Sequence, residues 1–206
     1  GRQIGSGGHI IAEKLAEDFG CKCYDRELLN LAAKESGFSE KFFEQNDEQK
    51  GFSKSLFHTH LPFLSDNNFY HNDFSQEGLY KFQSDAIRKA ADEGNCVFVG
   101  RTADYVLRDS GIPTVNLFIH APMEECVKRI LRRRDKLKEQ DAKSLAEKTN
   151  KLRANYYNFY TDKRWGMASS YDLCLDSSLL PMEGMVDVLA RYIERRMGFN
   201  PLGGKE

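Results

Sequence analysis

Hydrophobic residues along the chain alternate between short continuous runs and stretches with helical spacing. The continuous runs are rich in β-branched and aromatic residues, and they predict buried strands at 96–99, 114–119 and 171–175, with 22–24 as a further candidate. Helical spacing predicts helices at 10–19, from Pro122 onward and at 178–197. Strands that alternate with helices are typical of a parallel sheet with helices on both faces, so we predict an α/β fold.

The composition narrows the class of protein without naming a function. The length of 206 residues indicates one domain over 1–206. The 30 Lys and Arg are balanced by 31 Asp and Glu, so the sequence shows no general nucleic-acid-binding surface. No apolar run reaches the roughly 18 residues of a membrane span, so we expect no membrane partner. Five scattered cysteines without zinc spacing favour a reducing, cytoplasmic setting.

Two segments do not read as compact core elements. Residues 52–74 mix aromatics, histidines and Pro62, and they predict a substrate-covering insertion or a surface excursion. Residues 132–151 are strongly charged and nearly free of large apolar side chains, which predicts a solvated helical lid or hairpin. The histidines at 58, 60 and 71 lack accompanying carboxylates or cysteines, so we predict no metal site.

A glycine-rich loop, 5–9, runs directly into the first predicted helix. Glycine allows the positive backbone angles that turn successive N–H groups inward, and a helix N-terminus adds partial positive charge. Against the phosphate-loop pattern G-x-x-x-x-G-K-[ST], Gly7 matches the second glycine. Arg2 falls on the first glycine, Gly8 on the lysine and His9 on the magnesium-binding hydroxyl. The alternative is a glycine-rich turn that only caps the helix.

A phosphate loop needs a strand in front of it to aim its amides. We therefore expect the protein to continue upstream of this numbering with a short β-branched run that ends at Arg2. The phosphate-binding candidates of this segment are Arg2, Gly5, Ser6, Gly7, Gly8 and His9.

Charged residues also follow two of the predicted strands. Arg101 comes after the strand at 96–99, where ligands sit in open α/β sheets, so it is a phosphate-binding candidate or else a surface arginine paired with a carboxylate. Asp25 and Arg26 follow the strand at 22–24. Asp25 could accept a hydroxyl proton or bind a base or a ribose, or it could cap a helix at 26–34, and Arg26 could pair with a phosphate.

A basic cluster lies in the second half of the chain. Phosphoryl transfer depends on positioning and charge neutralisation, and arginines on a closing lid supply both. The catalytic candidates are Arg129 and Arg133, which share a helix face, and Arg153, which precedes the aromatic pair Tyr156-Tyr157. The alternative is an ordinary solvated face.

The order of these motifs resembles the cytidylate kinase-like family of P-loop proteins, relatives of the bacterial cytidylate kinases. The matching segments are 2–8, 24–29, 97–107, 153–157, 165–166 and 171–178. The resemblance implies a P-loop NTPase-type three-layer fold with about five parallel strands, an acceptor-binding or insertion region at 25–75 and a helical lid at 132–165. It also implies ATP and Mg²⁺ as partners and leaves a homodimer open.

By the same resemblance, Arg101 matches the arginine that binds the acceptor monophosphate, Asp25 and Arg26 fall near acceptor contacts, and Arg153 resembles a lid arginine. This chain departs from the family pattern at Gly8 and His9, which replace Lys and Ser/Thr. The charge of Arg2 could replace that of the lysine.

Three hypotheses follow from these features. The first is an ATP-dependent nucleoside monophosphate kinase that favours CMP, although Thr102, where cytidylate kinases have Asp, leaves the cytosine preference open. The second is a nucleotide-binding or regulatory protein that has lost transfer activity, which the changes at Gly8 and His9 favour. The third is a kinase for another small metabolite, which the segment at 52–74 favours.

Overall fold

The computed structural model describes residues 1–25, 73–134 and 136–198. The elements in these ranges are α1 (Gly8–Asp18), β1 (Lys22–Tyr24), α2 (Asp73–Glu93), β2 (Cys96–Phe98), α3 (Ala103–Val106), β3 (Leu117–His120), α4 (Met123–Arg133), α5 (Glu139–Tyr160), β4 (Leu173–Asp176) and α6 (Met182–Met197). Strands alternate with helices along the chain, which confirms the mixed α/β class.

The strands pair in parallel. β1 pairs with β2, and Cys23 lies opposite Val97. β3 pairs with β4, and Phe118 lies opposite Cys174. Parallel neighbours place their carboxyl ends at one edge, so the residues that follow β1 and β2 share an edge, as do those that follow β3 and β4.

Residues 1–3 also pair with β3 through backbone hydrogen bonds. Arg2 bridges to Ile119 in parallel, and the amide of Gln3 donates to the Ile119 carbonyl at 3.0 Å, while the Ile119 amide donates to the Gly1 carbonyl at 3.0 Å. Because β4 occupies one edge of β3, residues 1–3 lie on the other edge. This pairing directs the residues that follow toward the carboxyl end of β3.

Among the residues that the structure describes, buried apolar side chains form three clusters around this framework. The first packs α1 and α6 against one face of β3. The second joins α2 and α3, with Tyr24 and Phe98 of β1 and β2 packed against it. The third lies between α4 and α5. On the other face of β3, Phe118 contacts the rings of Trp165 and Tyr171 at 5.0 and 4.9 Å, so both faces of that strand are covered.

Most predicted elements are present, with shifted ends. The strand at 22–24 is confirmed, while those predicted at 96–99, 114–119 and 171–175 occupy 96–98, 117–120 and 173–176. β3 begins late because the Asn116 amide donates to the Asp172 carboxylate at 2.7 Å, and only the Asn116 carbonyl bonds to the backbone beside β4, accepting the Asp172 amide at 2.8 Å. The helix predicted at 178–197 begins at Met182, since Pro181 is its N-cap.

The charged segment predicted at 132–151 is part of a packed helical hairpin. α4 and α5 pack through Ala142 and Ala146, both fully buried, against Val127 and Ile130. The prediction that this segment is solvated is wrong on that face, because Ala142 and Ala146 are buried there and Leu137 and Leu145 pack against the same cluster. A lid role stays a prediction. The segment predicted at 52–74 lies outside the described residues, except that α2 begins at Asp73. No helix in the described ranges is long and apolar enough to span a membrane.

Candidate functional site

The glycine loop connects residues 1–3, which pair with β3, to α1. Gly5 and Gly7 have φ of +78° and +79°, the left-handed region that glycine adopts without strain. Gly5 is also pressed against α4, because a Cβ atom on it would lie within 2.5 Å of the Cys126 carbonyl oxygen. The loop therefore needs glycine at residue 5 for both conformation and space.

The side chain of Ser6 closes the loop on itself. It is fully buried, and its hydroxyl donates to the Gln3 carbonyl at 2.8 Å and accepts from the Gly8 amide at 3.3 Å. The side chain of Gln3 in turn accepts the Ala121 amide at the end of β3, at 3.1 Å. Ser6 therefore shapes the loop with its hydroxyl, and its amide also donates to the Gln3 carbonyl at 3.4 Å.

Arg129 of α4 holds the loop from outside. Its guanidinium donates to the Ser6 carbonyl at 2.9 Å, and also to the hydroxyl and the carbonyl of Ser177, both at 2.8 Å. The Ser177 hydroxyl also donates to the Ser6 carbonyl at 2.5 Å. This arginine is committed to backbone and serine oxygens, so its predicted contact with the transferring phosphoryl group stays a prediction. Arg133, one turn on, is exposed.

Helix α5 adds two further supports. The side-chain oxygen of Asn150 accepts the Ile4 amide at 2.9 Å, and the guanidinium of Arg153 donates to the Arg2 carbonyl at 3.0 Å. Arg153 therefore lies beside the loop, while its role on the transferring group stays a prediction. Sequence reasoning missed Asn150 and Ser177 as positioning residues. Ser177 directly follows β4 at the carboxyl edge, a signal of the kind that identified Arg101.

The second half of the site is a left-handed turn after β2. Gly100, Arg101 and Thr102 have φ of +83°, +57° and +54° in succession. Two adjacent non-glycine residues in this region carry conformational strain, of a kind that clusters at functional sites. The Thr102 hydroxyl donates to the Arg101 carbonyl at 2.6 Å.

Arg101 rests on an aromatic cluster between α2 and α5. Its guanidinium carbon lies 5.2 Å from the centroid of the Tyr156 ring, within cation–π range. Tyr80 and Tyr160 stack beside it at 4.0 Å, and the Tyr156 hydroxyl donates to the buried side chain of Gln83 at 3.3 Å. Burial raises the pKa of Tyr156, and the charge of Arg101 opposes that rise.

A buried hydrogen bond fixes α5 against α3 next to this turn. The Tyr157 hydroxyl donates to the Asp104 carboxylate at 2.6 Å, and the ammonium of Lys163 lies 3.5 Å from the same oxygen. Burial, followed by this bond to Asp104, raises the pKa of Tyr157 far above its ordinary value. The contact ties the helix that supports the glycine loop to the helix that begins at the left-handed turn.

The side chain of Arg2 connects the glycine loop to the left-handed turn. A Cβ atom on Gly8 would lie 2.6 Å from the Arg2 Cβ atom, and one on Gly100 would lie 2.6 Å from an Arg2 guanidinium nitrogen. The side chain therefore starts beside the first residue of α1 and ends beside the turn that carries Arg101. The structure thus brings two of the predicted phosphate-binding elements to one place.

His9 and Asp25 meet at the rim of the site. The Nε2 atom of His9 lies 3.5 Å from the Asp25 carboxylate, and its Nδ1 atom lies 3.3 Å from the Glu13 carboxylate. Asp25 therefore stands next to the loop rather than apart from it. Arg26, its predicted neighbour in acceptor binding, lies outside the described residues, as does the helix that Asp25 could cap.

The side chains at the glycine loop do not form a set of ligands suited to Mg²⁺. Mg²⁺ prefers oxygen ligands in octahedral geometry, and the histidine at residue 9 offers an imidazole where the pattern has a hydroxyl. The Asp176 carboxylate accepts from the hydroxyl and amide of Ser178, and these bonds lower its pKa. Within the described ranges no group of three or more His, Cys, Asp or Glu side chains could hold a metal ion.

Comparison with known proteins gives a consistent family. The profile of the cytidylate kinase-like family matches residues 1–179. A cytidylate kinase of Methanocaldococcus jannaschii is 30% identical over 105 residues, covering 50% of this chain and 58% of that protein. A cytidylate kinase of Pyrococcus horikoshii is 24% identical over 203 residues, covering 98% and 90%. The crystal structure of a Eubacterium ventriosum protein matches with a TM-score of 0.68 and 26% identity over 94% of each chain.

Proposed function

Because the chain belongs to the cytidylate kinase-like family, we propose that it transfers the γ-phosphoryl group of ATP to a nucleoside monophosphate, with CMP as the favoured acceptor. One observation carries this proposal. The glycine loop and the strained turn of Arg101 face each other across a single side chain, that of Arg2. A loop suited to donor phosphates thus lies next to an arginine suited to an acceptor phosphate.

In this proposal the loop at 5–9 binds the donor phosphates through its backbone amides and the N-terminus of α1. Arg101 binds the acceptor phosphate, with Arg26 as a second contact, and Asp25 orients the acceptor nucleoside. Arg129 and Arg153 keep the loop in shape, and together with Arg133 they supply positive charge around the transferring group. ATP would enter as its magnesium complex, with the ion carried by the phosphates.

The chemistry requires positioning rather than a strong base. An oxygen of the acceptor phosphate forms a bond to the γ-phosphorus, while the bond from that phosphorus to the bridging oxygen of ADP breaks and leaves ADP. The acceptor phosphate oxygen already carries negative charge, so no protein group has to remove a proton from it. The arginines offset the repulsion between the two phosphates as they approach.

A coupled ATP-consumption assay across the nucleoside monophosphates tests the proposal. We expect turnover with CMP, and we expect Arg101→Ala to raise the KM for the acceptor roughly ten- to hundredfold, as for loss of a charge-assisted contact. Arg191→Ala is the matched control, because that arginine pairs with Asp187 on the exposed surface of α6. Binding of ATP without turnover on any monophosphate would refute the kinase.

A second candidate function is nucleotide binding without transfer. The observation that favours it is the replacement of the lysine and hydroxyl by Gly8 and His9, with His9 engaged by Glu13 and Asp25. Under this function ATP binds, and no monophosphate or other small acceptor is phosphorylated. The same assay distinguishes it, and an extended panel of small hydroxylated metabolites tests a different acceptor.

A further inference from the structure

Arg2 and Gly8 exchange roles relative to the phosphate-loop pattern. The pattern has glycine at the position of Arg2 and lysine at the position of Gly8. Here the side chain stands at the first position and the glycine at the second. The exchange concerns two positions in direct contact, because a Cβ atom on Gly8 would lie 2.6 Å from the Cβ atom of Arg2.

That contact makes the two side chains mutually exclusive. A Cβ atom on residue 8 would also lie 3.2 Å from the Arg2 Cγ atom and 3.1 Å from the Ile119 Cβ atom. Neither neighbour is the far end of a flexible chain, since Ile119 belongs to β3 and Arg2 is bridged to it. A lysine at residue 8 therefore needs the space that Arg2 now fills, and the arginine needs a glycine at residue 8.

The guanidinium of Arg2 lies beside the turn that carries Arg101. A guanidinium nitrogen lies within 2.6 Å of the place that a Cβ atom on Gly100 would take. Gly100 therefore gives the guanidinium room beside the Arg101 turn. The Arg2 backbone is fixed on both sides, by its bridge to Ile119 and by the Arg153 guanidinium on its carbonyl at 3.0 Å.

We propose that Arg2 is the phosphate-binding cation of this loop, replacing the lysine by an exchange of side chain and glycine between residues 2 and 8. Its guanidinium contacts the terminal donor phosphates from the side of Arg101. The planar fork of N–H donors there can bind two phosphate oxygens in a fixed bidentate geometry, whereas a lysine ammonium acts as a point charge. This inference rests on the proposed function for its donor, ATP.

The test is a double-mutant cycle read by the Kd for ATP. We expect Arg2→Gly to weaken ATP binding roughly ten- to hundredfold, as for loss of a charge-assisted contact. Gly8→Lys alone should also bind ATP poorly, because its Cβ atom meets Arg2. Arg2→Gly/Gly8→Lys, which restores the arrangement of the pattern, should recover ATP affinity above that of either single variant. If Arg2 has a purely structural role, folded Arg2→Gly keeps the ATP affinity of the wild-type protein, and there is no loss for the lysine to recover.

Two further variants keep the test decisive. Gly8→Ala reports the clash without adding charge, and Gly184→Ala in the first turn of α6 is its control, since the nearest atom to a Cβ there is 3.8 Å away. If Gly8→Lys fails to fold, the Kd of folded Arg2→Gly decides. An unchanged ATP affinity in Arg2→Gly, or a double variant no better than the singles, overturns the exchange.

The failure of this inference and that of the proposed function remain distinguishable. A wild-type protein that binds ATP but phosphorylates no monophosphate refutes the kinase, and the binding cycle still decides the role of Arg2. A wild-type kinase whose Arg2→Gly variant keeps full ATP affinity refutes only the exchange.

Discussion

Replacing Arg129 by alanine should loosen the glycine loop and the end of β4 together. The guanidinium makes three hydrogen bonds of 2.8–2.9 Å, one to the Ser6 carbonyl and two to Ser177. The Ser6 carbonyl keeps a donor in the Ser177 hydroxyl, whereas the Ser177 carbonyl loses the arginine. Hydrogen bonds to charged groups contribute about 1.5–3 kcal/mol each, and these three share one side chain, so we expect a loss of about 2–4 kcal/mol.

Urea unfolding measures this loss. At a typical slope for a protein of this size, the midpoint for Arg129→Ala should fall by about 1–2 M with an unchanged slope. Arg129→Lys should lie between, because a single ammonium replaces only one of the two guanidinium nitrogens, and the bond from Nη2 to the Ser177 carbonyl is lost. Arg132→Ala, an exposed neighbour on α4, is the control and should change stability by less than about 0.5 kcal/mol. A midpoint for Arg129→Ala equal to that of the control would refute the assigned role.

Two further predictions concern conformation and pH. Gly5→Ala should destabilise by about 2–5 kcal/mol, because its Cβ atom meets the Cys126 backbone at positive φ. Gly20→Ala, also at positive φ but in open space, should cost only about 1–2 kcal/mol, and equal losses in thermal unfolding would contradict the contact. Burial raises the pKa of Tyr171 from 10.0 to about 12, so its contribution to stability is complete below pH 10 and is lost as the pH rises through 12. The free energy of unfolding, measured from pH 10 to 12, should decline less steeply in Tyr171→Phe than in the wild-type protein. Identical pH profiles would contradict the raised pKa of Tyr171.

The sequence predicted the strands and the loop because both are local. Runs of apolar residues report buried strands wherever they lie, and the glycines at 5 and 7 report a turn with positive φ. The ends of β3 and α6 were less predictable. The start of β3 depends on the Asp172 carboxylate, which is distant in sequence from Asn116, and the start of α6 depends on its N-cap at Pro181.

The supports of the site could not be predicted from spacing. A helical period places Arg129 and Arg133 on one face, but it does not say that the first meets the carbonyl of Ser6 while the second is exposed. Asn150 sits in a polar stretch of α5 that looks solvated, yet it accepts the amide of Ile4 from 146 residues away. Such contacts exist only once β3 and the two helices of the hairpin are assembled.

The hairpin of α4 and α5 has a consequence for motion in this protein. Its buried alanine seam, Ala142 and Ala146, fixes α5 to the helix that carries Arg129, while Asn150 and Arg153 fix it to the loop. If α5 swung outward, the Ile4 amide and the Arg2 carbonyl would both lose their partners. We therefore expect hydrogen exchange at the Ile4 amide to be slow, with the hairpin and the glycine loop moving as one rigid unit.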